Sequence, residues 1–375
     1  MLAAAADITD RFGKLDGYTD NDGNSASFDG NSNDAPDPEA NQVVSLLSST
    51  SDTRGTPVPA TGPVLPCAAG PVLGNDEAAR IPSQDVMTKE AVVFPLAFVA
   101  PGLARAENPP RIVKTVLRGP HAPQGVPTEV LLPAGWTPGQ PALLMVFLHD
   151  GWGNERSFRK HGLAAVAIGM MQDGTIPSVI IGSPRHRGTF IADSPRAAME
   201  SLVADDLVPA LESAFPGAGG SPERRSVWGI SMGGYGALKM ALRHPGVYGR
   251  VAALAPWVQL LSWESYERNR TWWWSRLLEP VFGRTREESR FEINDLASIA
   301  AATDPAQVPP LFIRTGSRDR CEKGADDLIA ILRQRGIAVD AASIPDAEHR
   351  WSDWRRAMPA LLTFLTRLGT GESTR

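Results

Sequence analysis

Ser231 stands in Gly229-Ile230-Ser231-Met232-Gly233, with Gly234-Tyr235-Gly236-Ala237-Leu238 directly after it. An apolar run, Ser226-Val227-Trp228, leads in, and a helix-like stretch from Tyr235 to Arg243 leads out. The G-x-S-x-G spacing at a strand-to-helix turn holds a serine in a strained conformation and lifts its hydroxyl above the sheet edge. Glycines at 229 and 233 remove the Cβ atoms that would collide at so tight a turn. A serine hydroxyl is a poor nucleophile at neutral pH, so a base and a carboxylate to orient that base must be found elsewhere in the chain.

In an open parallel sheet those partners are expected in loops beyond the carboxyl ends of later strands. Of the six histidines, His121, His161, His186 and His244 fall early or beside helices. His349 alone follows the last predicted strand, in Pro345-Asp346-Ala347-Glu348-His349-Arg350-Trp351, and is the expected base. Asp319, in Thr315-Gly316-Ser317-Arg318-Asp319-Arg320, follows the strand before and is the expected carboxylate, with Asp346 and Glu348 as alternatives. A tetrahedral intermediate would need two N–H donors. One is expected from Met232; the other from the loop His149-Asp150-Gly151-Trp152-Gly153-Asn154, with Gly151 and Trp152 both candidates. His149 is read as a structural side chain holding that loop.

The elements needed to position these residues are legible in the pattern. Arg111 to Leu117 and Thr128 to Leu132 read as early strands, and Pro141 to Leu148 as a strand buried on both faces. A helix over Phe158–Met171, a strand at Ser178–Gly182 and a helix over Arg196–Phe215 come next. After the serine and its helix come a strand at Val251–Ala255, a strand at Pro310–Arg314, a helix over Glu322–Arg335, a strand over Ile337–Ile344 and a helix over Asp353–Leu368. This alternation predicts an α/β fold with a mostly parallel sheet covered on both faces.

The chain has 375 residues, 42% of them hydrophobic, enough for one large domain with extras. A formal net charge of -5 gives no reason to expect nucleic acid as a partner. Two cysteines, Cys67 and Cys321, exclude a disulfide framework and a cysteine-rich metal site. No apolar run is long enough for a membrane-spanning helix.

Residues 1–86 are rich in Asp, Asn, Gly, Ser, Pro and Ala and read as a disordered extension, or as an over-extended reading frame. Residues 87–106 resemble a signal peptide: Met87-Thr88-Lys89-Glu90, the apolar Ala91 to Ala100, then Ala104-Arg105-Ala106. A start at Met87 would imply a periplasmic or secreted protein, otherwise a cytoplasmic one; a buried strand or linker is the alternative for this segment. Residues 107–375 are the expected catalytic domain.

The motifs resemble the putative-esterase family of α/β hydrolases, which includes S-formylglutathione hydrolase, feruloyl and acetylxylan esterases, enterochelin esterases and mycolyltransferases. The resemblance covers about residues 125–368 and rests on Phe147 to Phe158, Arg187 to Ser194, Gly229 to Ala237 and His349 to Trp354. It implies an α/β-hydrolase fold, with Ser231 as nucleophile, His349 as base and Asp319 as acid, in the chain order usual for that fold. Many members have His-Gly where this chain has His149-Asp150, so the second oxyanion donor stays open between Gly151 and Trp152.

The implied reaction is carboxylic ester hydrolysis through an acyl-enzyme on a small-molecule or polysaccharide-linked ester, with no metal or organic cofactor. An acyltransferase using the same intermediate and a non-catalytic binding module are the alternatives. Residues 257–291 hold Trp257, Trp263, Trp272, Trp273 and Trp274, five of the ten tryptophans. They read either as a lid, with Trp257, Trp272 and Trp273 lining an acyl or alcohol pocket, or as an insertion with its rings packed in the core.

Overall fold

The computed structural model describes residues 108–258, 262–269 and 278–368, all within the unit Thr88–Arg375. The expected boundaries near residues 86 and 106, the signal-like segment and Cys67 lie outside the described residues.

The chain enters through an antiparallel hairpin, β1 (Arg111–Gly119) and β2 (Ala122–Leu132), and then forms β3 (Leu143–Leu148). Every residue of β3 is buried, and alternate ones serve opposite faces of the sheet. Leu144, Val146 and Leu148 join one core cluster, Leu143, Met145 and Phe147 the other. That is why this strand reads as a continuous apolar run instead of an alternating one.

Helix α1 (Leu163–Gln172), β4 (Val179–Pro184) and the two-residue strands β5 (Asp193–Ser194) and β6 (Ala197–Ala198) come next. Then follow α2 (Leu207–Ala214), β7 (Arg225–Ile230), α3 (Met232–Arg243), β8 (Arg250–Leu254), α4 (Trp263–Asn269), α5 (Leu296–Ala302), β9 (Leu311–Gly316), α6 (Glu322–Gln334), β10 (Val339–Ile344) and α7 (Trp351–Thr366).

The main sheet has eight strands in the order β1-β2-β4-β3-β7-β8-β9-β10. Pairing is parallel from β4 through β3 and β7 to β10, and antiparallel between β1 and β2 and between β2 and β4. This is the expected α/β-hydrolase arrangement. Helices α2, α3, α5 and α6 contribute to one core, and α1 and α7 to the other.

Two expected helices are interrupted. The helix foreseen over Phe158–Met171 splits into a turn at Ser157–Lys160 and α1, because Gly162 between them takes φ 76°, a left-handed conformation that no helix interior holds. The helix foreseen from Arg196 instead begins at Met199, since Ala197 and Ala198 pair with Asp193 and Ser194. It then widens into a π-turn over Leu202–Asp206, where the Leu207 N–H donates to the Leu202 carbonyl. Pro209 lies in the following turn and has no N–H to offer the ladder, which accounts for the irregular bonding just before it.

A buried charge ties helix α3 to its surroundings. Lys239 is fully buried, and its Nζ pairs with Glu200 Oε2 (2.6 Å) while donating to Asn294 Oδ1 (2.5 Å) and the Ile191 carbonyl (3.2 Å). Glu200 also receives Arg243 Nε (2.6 Å) and His244 Nε2 (2.9 Å). Burial pushes the Glu200 carboxyl up, but the His244 bond and the Lys239 ammonium outweigh it and bring it to about 2. The segment that meets Lys239 carries Arg187, Phe190 and Ile191 at φ 43°, 52° and 45°, conformations that persist only when the surroundings enforce them.

Removing the ammonium would leave Glu200 Oε2 and Asn294 Oδ1 without that donor, with Arg243 and His244 still bonded to Glu200 Oε1. Lys239→Met is therefore expected to cost about 3 kcal/mol of unfolding free energy, read from the urea midpoint at constant m. A loss below about 1 kcal/mol would mean that Lys239 is not what holds these segments together.

Candidate active site

Ser231 occupies the turn between β7 and α3 at φ 54°, ψ −114°. For a residue with a side chain this conformation costs on the order of 1–3 kcal/mol, and the neighbours impose it. The Ser231 N–H donates to the Leu254 carbonyl (2.9 Å), and its own carbonyl accepts from the Tyr235 (2.9 Å) and Trp257 (3.0 Å) N–H groups. The flanking glycines are needed because the turn is packed on backbone. A methyl group on Gly233 would stand 2.0 Å from the Leu148 carbonyl oxygen, and one on Gly229 would stand 2.3 Å from the Gly233 carbonyl carbon.

Asp319 lies in the loop after β9 and His349 in the loop after β10. These parallel neighbours deliver both loops to the same sheet end as Ser231. His349 Nδ1 stands 2.8 and 3.0 Å from the two Asp319 carboxylate oxygens, and Nε2 stands 3.0 Å from Ser231 Oγ. A carboxylate can only accept, so Nδ1 carries the proton and Nε2 is left to accept from the serine hydroxyl.

The Asp319 side chain is wholly buried and also accepts the Cys321 N–H (2.8 Å) at Oδ1. Burial lowers His349 from its ordinary value of 6.5, and the Asp319 carboxylate only partly offsets it. Trp354 meets the imidazole edge-on at 4.8 Å, and Trp351 packs on Trp354 while stacking on His161 at 3.9 Å.

Of the alternative acids, Glu348 pairs with Arg318 at 2.8 Å, and no hydrogen bond between His349 and Asp346 is found among the described residues, where the Asp346 backbone N–H donates to Ser317 Oγ. Two further histidines have partners of their own, His121 on Asp206 (3.0 Å) and His244 on Glu200 (2.9 Å).

The loop after β3 is held from beneath by two stacked neutral imidazoles. His149 and His186 lie 3.6 Å apart at 9°, both buried. His149 Nδ1–H donates to the Asp150 carbonyl (2.7 Å), and Nε2 accepts the His186 N–H (3.2 Å), which fixes one tautomer. Burial lowers His149 to about 4 and His186 well below its ordinary value, so neither ring is charged near neutral pH.

The Asp150 carbonyl accepts from the Gly153 N–H (3.2 Å) as well. Across the same peptide plane the Gly151 N–H must point the opposite way, away from the imidazole. The Trp152 N–H instead faces Asp150 Oδ2 at 3.4 Å. Burial pushes that carboxyl up to about 6. Trp152 is 63% exposed, while the Met232 N–H lies in the first turn of α3, where no intrahelical acceptor exists.

Of the tryptophan-rich stretch, Trp257 and Trp263 are buried, and Trp272, Trp273 and Trp274 lie outside the described residues. Trp257 packs on Phe190 (5.1 Å), which faces Tyr235 and Phe282; Trp263 packs on Tyr266 (5.1 Å). A separate cavity of about 100 Å³ between α6 and β10, lined by Glu322, Asp326 and Arg333 among others, contains none of the residues gathered at Ser231.

The sequence pattern assigns two residues, Cys321 and His186, no place at the site, yet the structure brings both to it. Cys321 sits beside Asp319, and His186 beneath His149; the D-x-C spacing was visible for the first, and nothing local signals the second.

A family model described as "Putative esterase" matches residues 122–365. Mouse S-formylglutathione hydrolase is 43% identical over 146 residues, a match spanning 38% of this chain and 46% of that protein. The chain thus aligns with about half the length of this relative. A ferulic acid esterase structure superposes with a TM-score of 0.59 at 19% identity, over 70% of this chain and all of the other. A Staphylococcus aureus S-formylglutathione hydrolase superposes with a TM-score of 0.56 at 15% identity, over 69% and 99%.

The electrostatics around His349 can be tested directly. In NMR titrations His349 should titrate below 6.5, and Asp319→Asn should move it lower still, because the carboxylate is the group that raises it. A value at or above 6.5 in the native protein would contradict the dominance of burial.

Proposed function

The chain belongs to the putative esterase family, and on that premise we propose that it hydrolyses carboxylic esters through an acyl-enzyme on Ser231. The observation that carries this reading is the continuous line from Ser231 Oγ to His349 Nε2 (3.0 Å) and from His349 Nδ1 to Asp319 (2.8 Å). In this reading Ser231 Oγ attacks the ester carbonyl as its proton passes to His349 Nε2. Asp319 orients the imidazole and stabilises the imidazolium as it forms.

The oxyanion is received by the Met232 N–H and by the Gly151 N–H, which the His149 bond turns away from the interior. The Trp152 N–H is less suited, since it faces the Asp150 carboxylate. His349 then protonates the departing alcohol or thiol. Water attacks the acyl-enzyme with His349 as base, and Ser231 is released. Trp257, next to the serine through its backbone N–H, forms the proposed wall of the acyl pocket.

The test is hydrolysis of p-nitrophenyl acetate, butyrate and octanoate by the protein and by its Ser231→Ala variant. Turnover is expected to fall by about 10⁴-fold or more in the variant. Hydrolysis undiminished by Ser231→Ala would rule out the serine. The pH profile follows from His349: only the neutral base accepts a proton, so kcat/KM should be flat near neutrality. It should decline as pH falls through an apparent value below 6.5. A decline centred above 6.5 would contradict His349 as that base.

A further inference from the structure

Asp319, Cys321 and His349 bring a carboxylate oxygen, a thiol sulfur and an imidazole nitrogen within 4.8 Å of one another. Cys321 is fully buried and unpaired in any disulfide, and the ester chemistry gives its sulfur no task. Burial and then the Asp319 carboxylate push its thiol up, so a bound cation would have to draw off its proton. What carboxylate, thiol and imidazole in one place do accept is a thiophilic divalent cation: the three donor types are those of tetrahedral zinc sites.

We propose that the acid–base half of the site doubles as an inhibitory site for Zn²⁺ or its analogue Cd²⁺, held by Asp319, Cys321 and His349. This rests on the reading of His349 as the base. Metal–ligand bonds of about 2.0–2.3 Å in a tetrahedron place donors roughly 3.3–3.6 Å apart, so the cluster must contract by about 1 Å at its widest. Of the paired Asp319 and His349, only the histidine side chain reaches the surface, with 11% of it exposed.

The protons balance without any redox step. The Cys321 thiol releases its proton to solvent and bonds the metal as thiolate. The His349 Nδ1 proton, now donated to Asp319, leaves as Nδ1 bonds the metal, and Nε2 takes up a proton. One proton is released per cation, and the imidazole stays neutral overall. Nε2–H then faces Ser231 Oγ with no lone pair to accept its proton, and the nucleophile goes unactivated. Asp319 and the thiolate together neutralise the dication. The Arg320 guanidinium, which already acts on Cys321 and His349, opposes binding and keeps it reversible.

Binding and inhibition are measured separately on the full chain. Cd²⁺ titration should produce the ultraviolet thiolate-to-cadmium absorption in the native protein and equally in Ser231→Ala; Cys321→Ala should lose it or keep only what Cys67 supplies. Zn²⁺ should inhibit p-nitrophenyl acetate hydrolysis and a chelator should restore it, whereas Mg²⁺, an oxygen-seeking ion, should not inhibit. Scaled to each variant's own metal-free rate, the inhibitory Zn²⁺ concentration should rise at least about 10-fold in Cys321→Ala and in Cys321→Ser, the second retaining a small polar side chain in case the first folds poorly.

Equal Zn²⁺ sensitivity in the native protein and both variants, or no Cys321-dependent cadmium band, overturns the proposal. A band that persists in Ser231→Ala while that variant still hydrolyses the ester leaves the metal site standing and overturns the reading of the nucleophile instead.

Discussion

The sharp turn at Ser231 is the constraint on which the rest of the site depends. A strand buried on both faces must stop, present one side chain at positive φ, and continue as a helix within a single residue. The strain is offset by backbone bonds from β8 and from Trp257, and by glycines that let Gly233 lie almost on the Leu148 carbonyl. The same close approach sets the distance between α3 and the loop after β3. The two proposed oxyanion donors, at Met232 and Gly151, are therefore placed by the packing of the turn and not by independent devices.

Around that turn the imidazoles are buried and neutral. His349 is lowered by burial, and the stacked His149 and His186 are held neutral by the same cause. Each neutral ring has a defined hydrogen-bond polarity: one nitrogen donates to a fixed oxygen, and the other must accept. For His349 this aims a lone pair at the serine hydroxyl; for His149 it turns a peptide so that its N–H faces outward. Low polarity here does geometric work, since a charged imidazole would donate from both nitrogens and lose its direction.

Behind α3 the logic is reversed. Lys239, Glu200 and Asn294 form a saturated polar hub joining the helix that follows the serine to the strained segment at 187–191 and to residues 280–294. Phe190 packs on both Trp257 and Phe282, so the proposed aromatic wall beside Ser231 adjoins the segment that the buried ion pair holds. Cys321 illustrates the opposite case: two positions from Asp319, its sulfur lies within 4.8 Å of the Asp319 and His349 donors and would add a soft ligand to the proposed metal site.

The sequence by itself determined the local sterics. Glycines two residues on either side of Ser231 allow only a tight turn, and the alternation of apolar runs with helical patterns leads to a parallel sheet covered on both faces. It also set the chain order of serine, aspartate and histidine, which follow β7, β9 and β10. Tertiary structure decided what depends on partners far apart in the chain. His349 and Ser231 are 118 residues apart, and only the strand order brings them to 3.0 Å. The break at Gly162 and the π-turn before Pro209 were visible as residues, but their effect depended on packing against the sheet. The orientation of the Asp150 peptide, the burial of Lys239 and the nearness of Cys321 to His349 had no local signature. Hydrogen-bond direction and desolvation belong to the assembled environment, and a linear pattern encodes neither.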